Sequence, residues 1–253
     1  MSGKVALITG AGSGIGQLMA RRALDAGWKV AALDIHQTGL DALGERRELL
    51  KLTVDVTDPS AVADAAERIE RELGSIDRVV NAAAIMPLGL LTEQSGEIMH
   101  RAMAINFGGL VNVTKAVLPR LLARGRGEFV SFASMAGHWP LIYMGAYDAT
   151  KHAVVAFTEV FHHETKNSGV RTICVCPPIV ATPLLKQAKD TTWPKIFDVF
   201  APITSEQVVD AIDKKLSGSG FWVFPGPLTR ISWIMRRWMP GLMWRFVHLI
   251  EKR

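Results

Sequence analysis

Cysteine is almost missing from this sequence, with only Cys174 and Cys176 in 253 residues. Both fall on one expected strand, with side chains expected on opposite faces, so no bridge between them is expected. That usage fits a reducing compartment, and the expected location is cytoplasmic. No Cys/His cluster has zinc spacing, so no metal site is expected. No apolar run reaches 18 residues, which argues against a membrane-spanning helix. Met1-Ser2-Gly3-Lys4 leads into four apolar residues before Thr9-Gly10, too few for a signal-peptide core. Linkers, repeats and low-complexity stretches are also lacking, so one domain is expected.

What is present is ordinary globular composition: 49% apolar and 21% charged residues. A domain of this length buries roughly 70–75% of its unfolded surface and needs no staples. The formal net charge of +5 is unevenly placed. Arg230, Arg236, Arg237, Arg245, Lys252 and Arg253 face a single acid, Glu251, and the preceding 229 residues are neutral. No nucleic-acid-binding signature accompanies this charge, so no nucleic-acid partner is expected.

Short β-rich runs alternate with longer amphipathic segments. Strands are expected at Val5–Thr9, Lys29–Asp34, Lys51–Asp55, Arg78–Ala83, Gly127–Ser134, Val170–Cys176 and Phe221–Phe224. Helices are expected at Ile15–Ala26, Ser60–Leu73, Ala102–Ala123, Ala146–Asn167 and Ser205–Leu216. Buried strands separated by helices imply an α/β, doubly wound parallel sheet of Rossmann type, with its ligand at the carboxyl ends of the strands. Residues 1–226 form the expected main domain, with a lid near 184–203. Residues 227–253 form a helical extension of it.

The first strand runs into Thr9-Gly10-Ala11-Gly12-Ser13-Gly14-Ile15-Gly16 and then a helix. Glycines allow a tight turn and close approach to a pyrophosphate, while the helix start offers free N–H groups. Asp34 ends the second strand, where a carboxylate accepts both adenosine ribose hydroxyls and repels a 2′-phosphate. No Arg or Lys lies between Ala11 and Gln17, or after Asp34 before Arg46. NAD is therefore expected over NADP. Asp55-Val56 and Asn81-Ala82-Ala83-Ala84 end the next two strands on the same edge. Tyr147 and Lys151 stand at i and i+4 of a helix, so phenol and ammonium converge. A nearby cation is expected to lower the phenol's pKa from near ~10. Ser134 ends the preceding strand, with its hydroxyl placed to hold a substrate oxygen.

These motifs, spread over roughly residues 4–224, resemble the compact short-chain dehydrogenase/reductase family. The resemblance implies that Tyr147 is the general acid/base, that Ser134 orients the reacting oxygen and that Lys151 binds the nicotinamide ribose. It implies that Asn106, within Ala104-Ile105-Asn106-Phe107-Gly108, holds a water in the proton relay. Pro177, Val180 and Thr182 resemble the loop beside the nicotinamide. With Gly10, Ser13, Gly14, Ile15, Gly16, Asp34, Ile35, Asp55, Val56, Asn81, Ala82, Ala83, Tyr147 and Lys151 they make the expected cofactor set, so residues 1–226 are the expected dinucleotide-binding and catalytic domain and 184–203 its substrate lid. Two departures are Asn81-Ala82-Ala83-Ala84 in place of N-N-A-G, and Pro178 where Gly is usual. The expected substrate residues are Ser134, His138, Met144, Tyr147, Ile179 and Leu184, although His138 reads equally as an incidental loop histidine. The family also implies a homodimer or homotetramer through helices Ala102–Ala123 and Ala146–Asn167, with Phe157, Val160 and Phe161 as contacts.

The expected activity is hydride transfer between NAD(H) and an apolar secondary alcohol or ketone that is steroid-, terpenoid- or lipid-like. The rival is a dinucleotide-binding sensor or membrane-associated scaffold without turnover. The tail carries Trp222, Trp233, Trp238 and Trp244, and Pro240-Gly241 divides it into two short helices. Its basic aromatic pattern fits peripheral membrane contact, or packing over the substrate pocket or against another subunit.

Overall fold

A computed structural model describes residues 3–189 and 192–252. Met1 and Ser2 of the leader reading, Asp190 and Thr191 of the lid, and Arg253 of the tail lie outside the described residues. Seven strands form one parallel sheet: β1 (Val5–Thr9), β2 (Lys29–Asp34), β3 (Leu49–Thr53), β4 (Ile76–Asn81), β5 (Gly127–Phe132), β6 (Val170–Val175) and β7 (Trp222–Val223). Their spatial order is β3-β2-β1-β4-β5-β6-β7. The order reverses between β1 and β4, which opens a crevice at their carboxyl ends.

Helices α1 (Gly14–Asp25), α2 (Gln37–Asp41) and α8 (Ser205–Ser217) cover one face of the sheet. The other face carries α3 (Pro59–Glu72), α5 (Gly109–Arg124) and α6 (Gly145–Glu164), with α4 (Gly96–Met103) leading into α5, and α7 (Pro183–Lys189) follows β6. Phe129, Leu7, Ile8 and Ile173 are fully buried between these layers, each contributing about 1.5–3 kcal/mol of burial. Local chemistry sets the helix ends. Asp58 accepts from Ser60 N and Ala61 N before Pro59 at the first position of α3. Thr204 and Gln207 form a reciprocal capping box on α8. Gly125 closes α5 in the left-handed conformation at φ 62°.

Three differences from expectation matter for the site. First, β3 and β4 lie two residues earlier than expected, which leaves Asp55, Val56, Ala82 and Ala83 beyond the strand ends. Second, the expected helix from Ala102 begins at Gly96 and widens to a π turn over Ala104–Gly108, a distortion frequent at functional sites. Third, Cys174 and Cys176 do not face opposite ways. Residues i and i+2 of an extended chain share a face, and these two thiols are free and buried with Sγ atoms 3.9 Å apart.

The tail forms α9 (Thr229–Trp238) and α10 (Pro240–Glu251), divided at Pro240 as the sequence suggests. Val247 of α10 is fully buried in one apolar cluster with Met144, Tyr147, Leu185, Ile196 and Phe197. Glu251 Oε1 accepts from Ile196 N at 3.0 Å, which ties α10 to the 3-10 turn Lys195–Asp198. Helix α10 thus packs behind the pocket wall, while Thr229 and Ser232 of α9 line the pocket itself. No described helix is long and apolar enough to cross a membrane.

Candidate active site

A cavity of about 990 Å³ runs from the glycine turn after β1, across the carboxyl ends of β4 and β5, to the start of α9. At its first end the turn is held by contacts that leave no room for side chains. A Cβ on Gly16 would lie 2.3 Å from Gly10 O, and one on Gly12 would lie 2.8 Å from Asp34 Oδ2. Gly10 adopts φ 67° and Gly14 φ 53°, a region favourable only to glycine. Ser13 makes no side-chain cap on α1, so the first N–H groups of the helix face the cavity free of a protein acceptor.

Asp34 links the turn to the next element. Its Oδ2 accepts from Gly12 N and its Oδ1 from His36 N, both at 2.9 Å. These bonds fix the carboxylate at the rim beside Ile35, which is half exposed. Asp55 is similarly held, with Oδ1 accepting from Thr57 N and Thr57 Oγ1.

Thr9 holds the Asn81–Ala84 segment. Its hydroxyl donates to Asn81 Oδ1 at 3.2 Å and accepts from Ala82 N and Ala83 N. The segment is thus fastened to β1 by a side chain, while Gly10 lets the two backbones approach closely. Pro178 is likewise accommodated, since Ala181 N donates to Ile203 O and Ile203 N to Ile179 O on either side of the Val180–Ile203 bridge.

Midway along the cavity Ser134, Tyr147 and Lys151 come together. Ser134 caps the 3-10 turn Met135–Gly137, accepting from Ala136 N at 3.1 Å. Its hydroxyl lies near the Tyr147 phenol and favours the ionised form of that ring. Lys151 lies below the phenol ring with Nζ 5.6 Å from the ring centroid, and donates to Phe132 O at 2.8 Å. Burial dominates their acidity. It pushes the Tyr147 phenol above its ordinary value, against the opposing influence of Ser134, and pulls Lys151 down to about 8. The expected lowering of the phenol's pKa by Lys151 is therefore not found. Desolvation of the buried phenol dominates, and the Asp148 carboxylate beside it raises the value further.

Of the expected residues, Gly10, Ser13, Gly14, Ile15, Gly16, Asp34, Ile35, Asp55, Val56, Ala82, Ala83, Pro177, Val180 and Thr182 line this cavity. So do Ser134, Met144, Tyr147, Lys151, Ile179 and Leu184. Three others do not. Asn81 is buried against Thr9. Asn106 lies behind the wall, with Oδ1 accepting from Ile85 N and Nδ2 donating to Ile85 O and Thr150 Oγ1. Its carboxamide braces the β4–α4 connection. His138 turns away from the cavity. Its Nε2 meets Cys176 Sγ at 3.5 Å and its ring packs on Trp222, Phe224 and Trp233. Burial there lowers its pKa to about 4, so it is a neutral ring in an aromatic cluster.

Phe197 and Phe200, from the segment expected as the lid, line the apolar end, but sequence reasoning missed Trp139 and Leu141 there, and Leu228 just before α9 and Ser232 on it. They come from loops and the tail, where no periodicity marks a pocket residue. It also missed Asp148, whose Oδ2 accepts from Leu141 N at 2.8 Å. That bond holds the Leu141–Tyr143 loop, where Tyr143 adopts φ 72°, a conformation costly for a bulky residue.

The short chain dehydrogenase family matches residues 4–193. D-threitol dehydrogenase of Mycolicibacterium smegmatis is 36% identical over 195 residues, 75% of each chain. The 1-deoxy-11-beta-hydroxypentalenate dehydrogenase of Streptomyces exfoliatus is 30% identical over 236 residues, 90% of this chain and 85% of that one. A short-chain dehydrogenase/reductase from Burkholderia phymatum, solved in complex with NAD, shares the fold at a TM-score of 0.84, with 24% identity over 95% of both chains. This chain belongs to the short-chain dehydrogenase family. It is an oxidoreductase of a family that binds a nicotinamide dinucleotide.

Proposed function

We propose that this protein transfers hydride between NAD(H) and an apolar secondary alcohol or its ketone, with Tyr147 as the acid/base. The observation that carries this reading is the joining of Ser134, Tyr147 and Lys151 where a glycine-built, uncapped helix start and an apolar chamber meet in one cavity.

The turn fits a dinucleotide. Backbone at Gly12 and Gly16 is bare where a Cβ would collide, and the α1 N–H groups stand free for a diphosphate. The cofactor, when bound, supplies the hydride acceptor or donor. Asp34 would hold the adenosine ribose, Asp55 and Val56 the adenine side, and Lys151 the nicotinamide ribose. Pro177, Val180 and Thr182 would hold the carboxamide side. The Asp34 carboxylate favours NAD, because a 2′-phosphate beside it meets like charge.

Tyr147 and Ser134 face the substrate oxygen. In ketone reduction Tyr147 Oη gives its proton to the carbonyl oxygen, and in alcohol oxidation its deprotonated form takes the hydroxyl proton. Ser134 Oγ donates to the oxygen as charge grows there. Because burial keeps the phenol protonated, the ligand-free site is poised as the acid. Asn106 acts by bracing the wall rather than by touching substrate. Met144, Ile179, Leu184, Trp139, Phe197 and Phe200 supply apolar surface and support a lipid-, terpenoid- or steroid-like substrate. The Streptomyces exfoliatus relative supports that class. Assembly as a dimer or tetramer, and peripheral membrane contact through the tail, complete the proposal.

Tyr147→Phe tests it. The variant keeps the ring and loses the transferable proton, so turnover of apolar alcohols with NAD falls about 10²–10⁴-fold, while NAD affinity by cofactor fluorescence is unchanged. Turnover within a few-fold of wild type refutes the assignment. NAD binding without turnover of any alcohol or ketone by the wild type favours a sensor.

A further inference from the structure

The tail that closes the pocket with one face leaves the other uncovered. On α9, Ile231, Ile234 and Trp238 recur at i, i+3 and i+7 and are 52%, 43% and 76% exposed. Arg230 and Arg237, one turn pair apart, flank this ridge on its exposed edge. Met239 at the junction and Leu242 and Leu249 of α10 are also exposed, beside Arg245 and Lys252. Trp238 and Leu249 are among the most exposed large apolar side chains of the described residues.

The charge on this face has one sign. Glu251 is the only acid between Leu228 and Lys252, and it is buried against Ile196 N. A second basic group extends the edge, where Lys214, Lys215 and Arg230 line a cleft with Ser219, Trp222 and Phe224. The acids nearest this edge on α8, Asp210 and Asp213, pair with Arg22. Asp198 accepts from Trp193 Nε1. A twofold contact of this face with a second copy would set Arg230, Arg237 and Arg245 against one another without a counter-charge. An anionic phospholipid surface complements both features, with rings and aliphatic side chains at the acyl boundary and arginines at the headgroups.

The same face adjoins the cavity. Val199, Pro227 and Leu228 line the cavity and are exposed, and Leu228 leads into the Ile231 ridge. We propose that the exposed face of α9 and α10 rests on an anionic membrane, and that the substrate passes from the lipid into the cavity over the Val199–Pro227–Leu228 rim. The route rests on the apolar-alcohol reading, whereas attachment does not.

The test is co-sedimentation of the full chain with phosphatidylcholine vesicles containing phosphatidylglycerol, against phosphatidylcholine alone. Binding is expected on the anionic vesicles only, weakening as salt rises. Arg237→Gln with Arg245→Gln is expected to weaken it about 25-fold, about fivefold per arginine. Trp238→Ser with Leu249→Ser is expected to abolish the fluorescence blue shift that wild type shows on the vesicles. Both pairs lie outside the catalytic site, so turnover of a water-soluble alcohol stays at wild-type level. Turnover of a vesicle-dissolved alcohol falls with binding. Failure to sediment at low salt, or wild-type sedimentation by both pairs, overturns the proposal. So does a dimer that Trp238→Ser with Leu249→Ser dissolves without any vesicle binding, which assigns the face to a second copy. Vesicle binding by a protein that oxidises no alcohol supports the attachment and refutes the enzymatic reading alone.

Discussion

Asp148 lies between Tyr147 and the Leu141 backbone, with one carboxylate oxygen bonded and the other buried without a partner. Burial raises its pKa to about 8, against the lowering bond from Leu141 N. The folded state thus holds a proton that the unfolded chain releases near pH 4. Such a group stabilises the fold below its unfolded pKa, and that contribution is lost as pH rises toward about 8. Tm should therefore fall between pH 5 and about 8, and Asp148→Asn should flatten that slope. Calorimetry across this range checks it, and an equal slope in both proteins contradicts it. Asp34 is the other decisive carboxylate. Asp34→Ala should reduce the kcat/KM preference for NAD over NADP by about ten- to a hundredfold, the value of a hydrogen bond to a charged group. Steady-state kinetics with both cofactors measures it. Tyr147 and Asp34 were legible in the sequence because each belongs to a local motif. Asp148 was not, since its partner is a loop N–H whose approach depends on how Leu141 folds back.

Among the elements, α10 couples tail packing to substrate binding. Val247 is fully buried in the cluster that includes Tyr147 and Met144. Val247→Ala should lower stability by about 1–2 kcal/mol through the void it leaves. It should also raise KM for an apolar alcohol while leaving NAD affinity unchanged. Denaturant melts and the two binding measurements separate these effects, and a weakened NAD affinity alone argues against the placement. Periodicity gave the strands and long helices to within a few residues. It gave the tail two helices divided at Pro240, but not which face is covered, because both faces carry apolar residues. The π turn at Ala104–Gly108 was hidden too, since one extra residue in a turn hardly changes an apolar pattern.

For the whole molecule, assembly is the open expectation. Val160 on α6 is 57% exposed, and Leu122 on α5 is 37% exposed. Phe157 packs against Phe107 in a T-shaped pair, and Phe161 is core, 5.1 Å from Phe129. Phe161 is therefore removed from the expected contact surface. A dimer through α5 and α6 should be measured by light scattering at micromolar concentration, and Val160→Asp should shift it toward the 27.7 kDa chain. A monomeric wild type contradicts that assembly.

The sequence alone determined the order of strands and helices, the glycine turn with Asp34, and the Ser134, Tyr147 and Lys151 set. Each depends on residues close in the chain or on a repeating apolar period. Tertiary structure alone decided that burial raises the Tyr147 phenol, that His138 faces an aromatic cluster and that Cys174 and Cys176 lie side by side. It also decided that α9 and α10 cap the pocket with one face and leave a basic apolar face outside. Desolvation and packing depend on which distant segments close over a residue, and no local spacing encodes that.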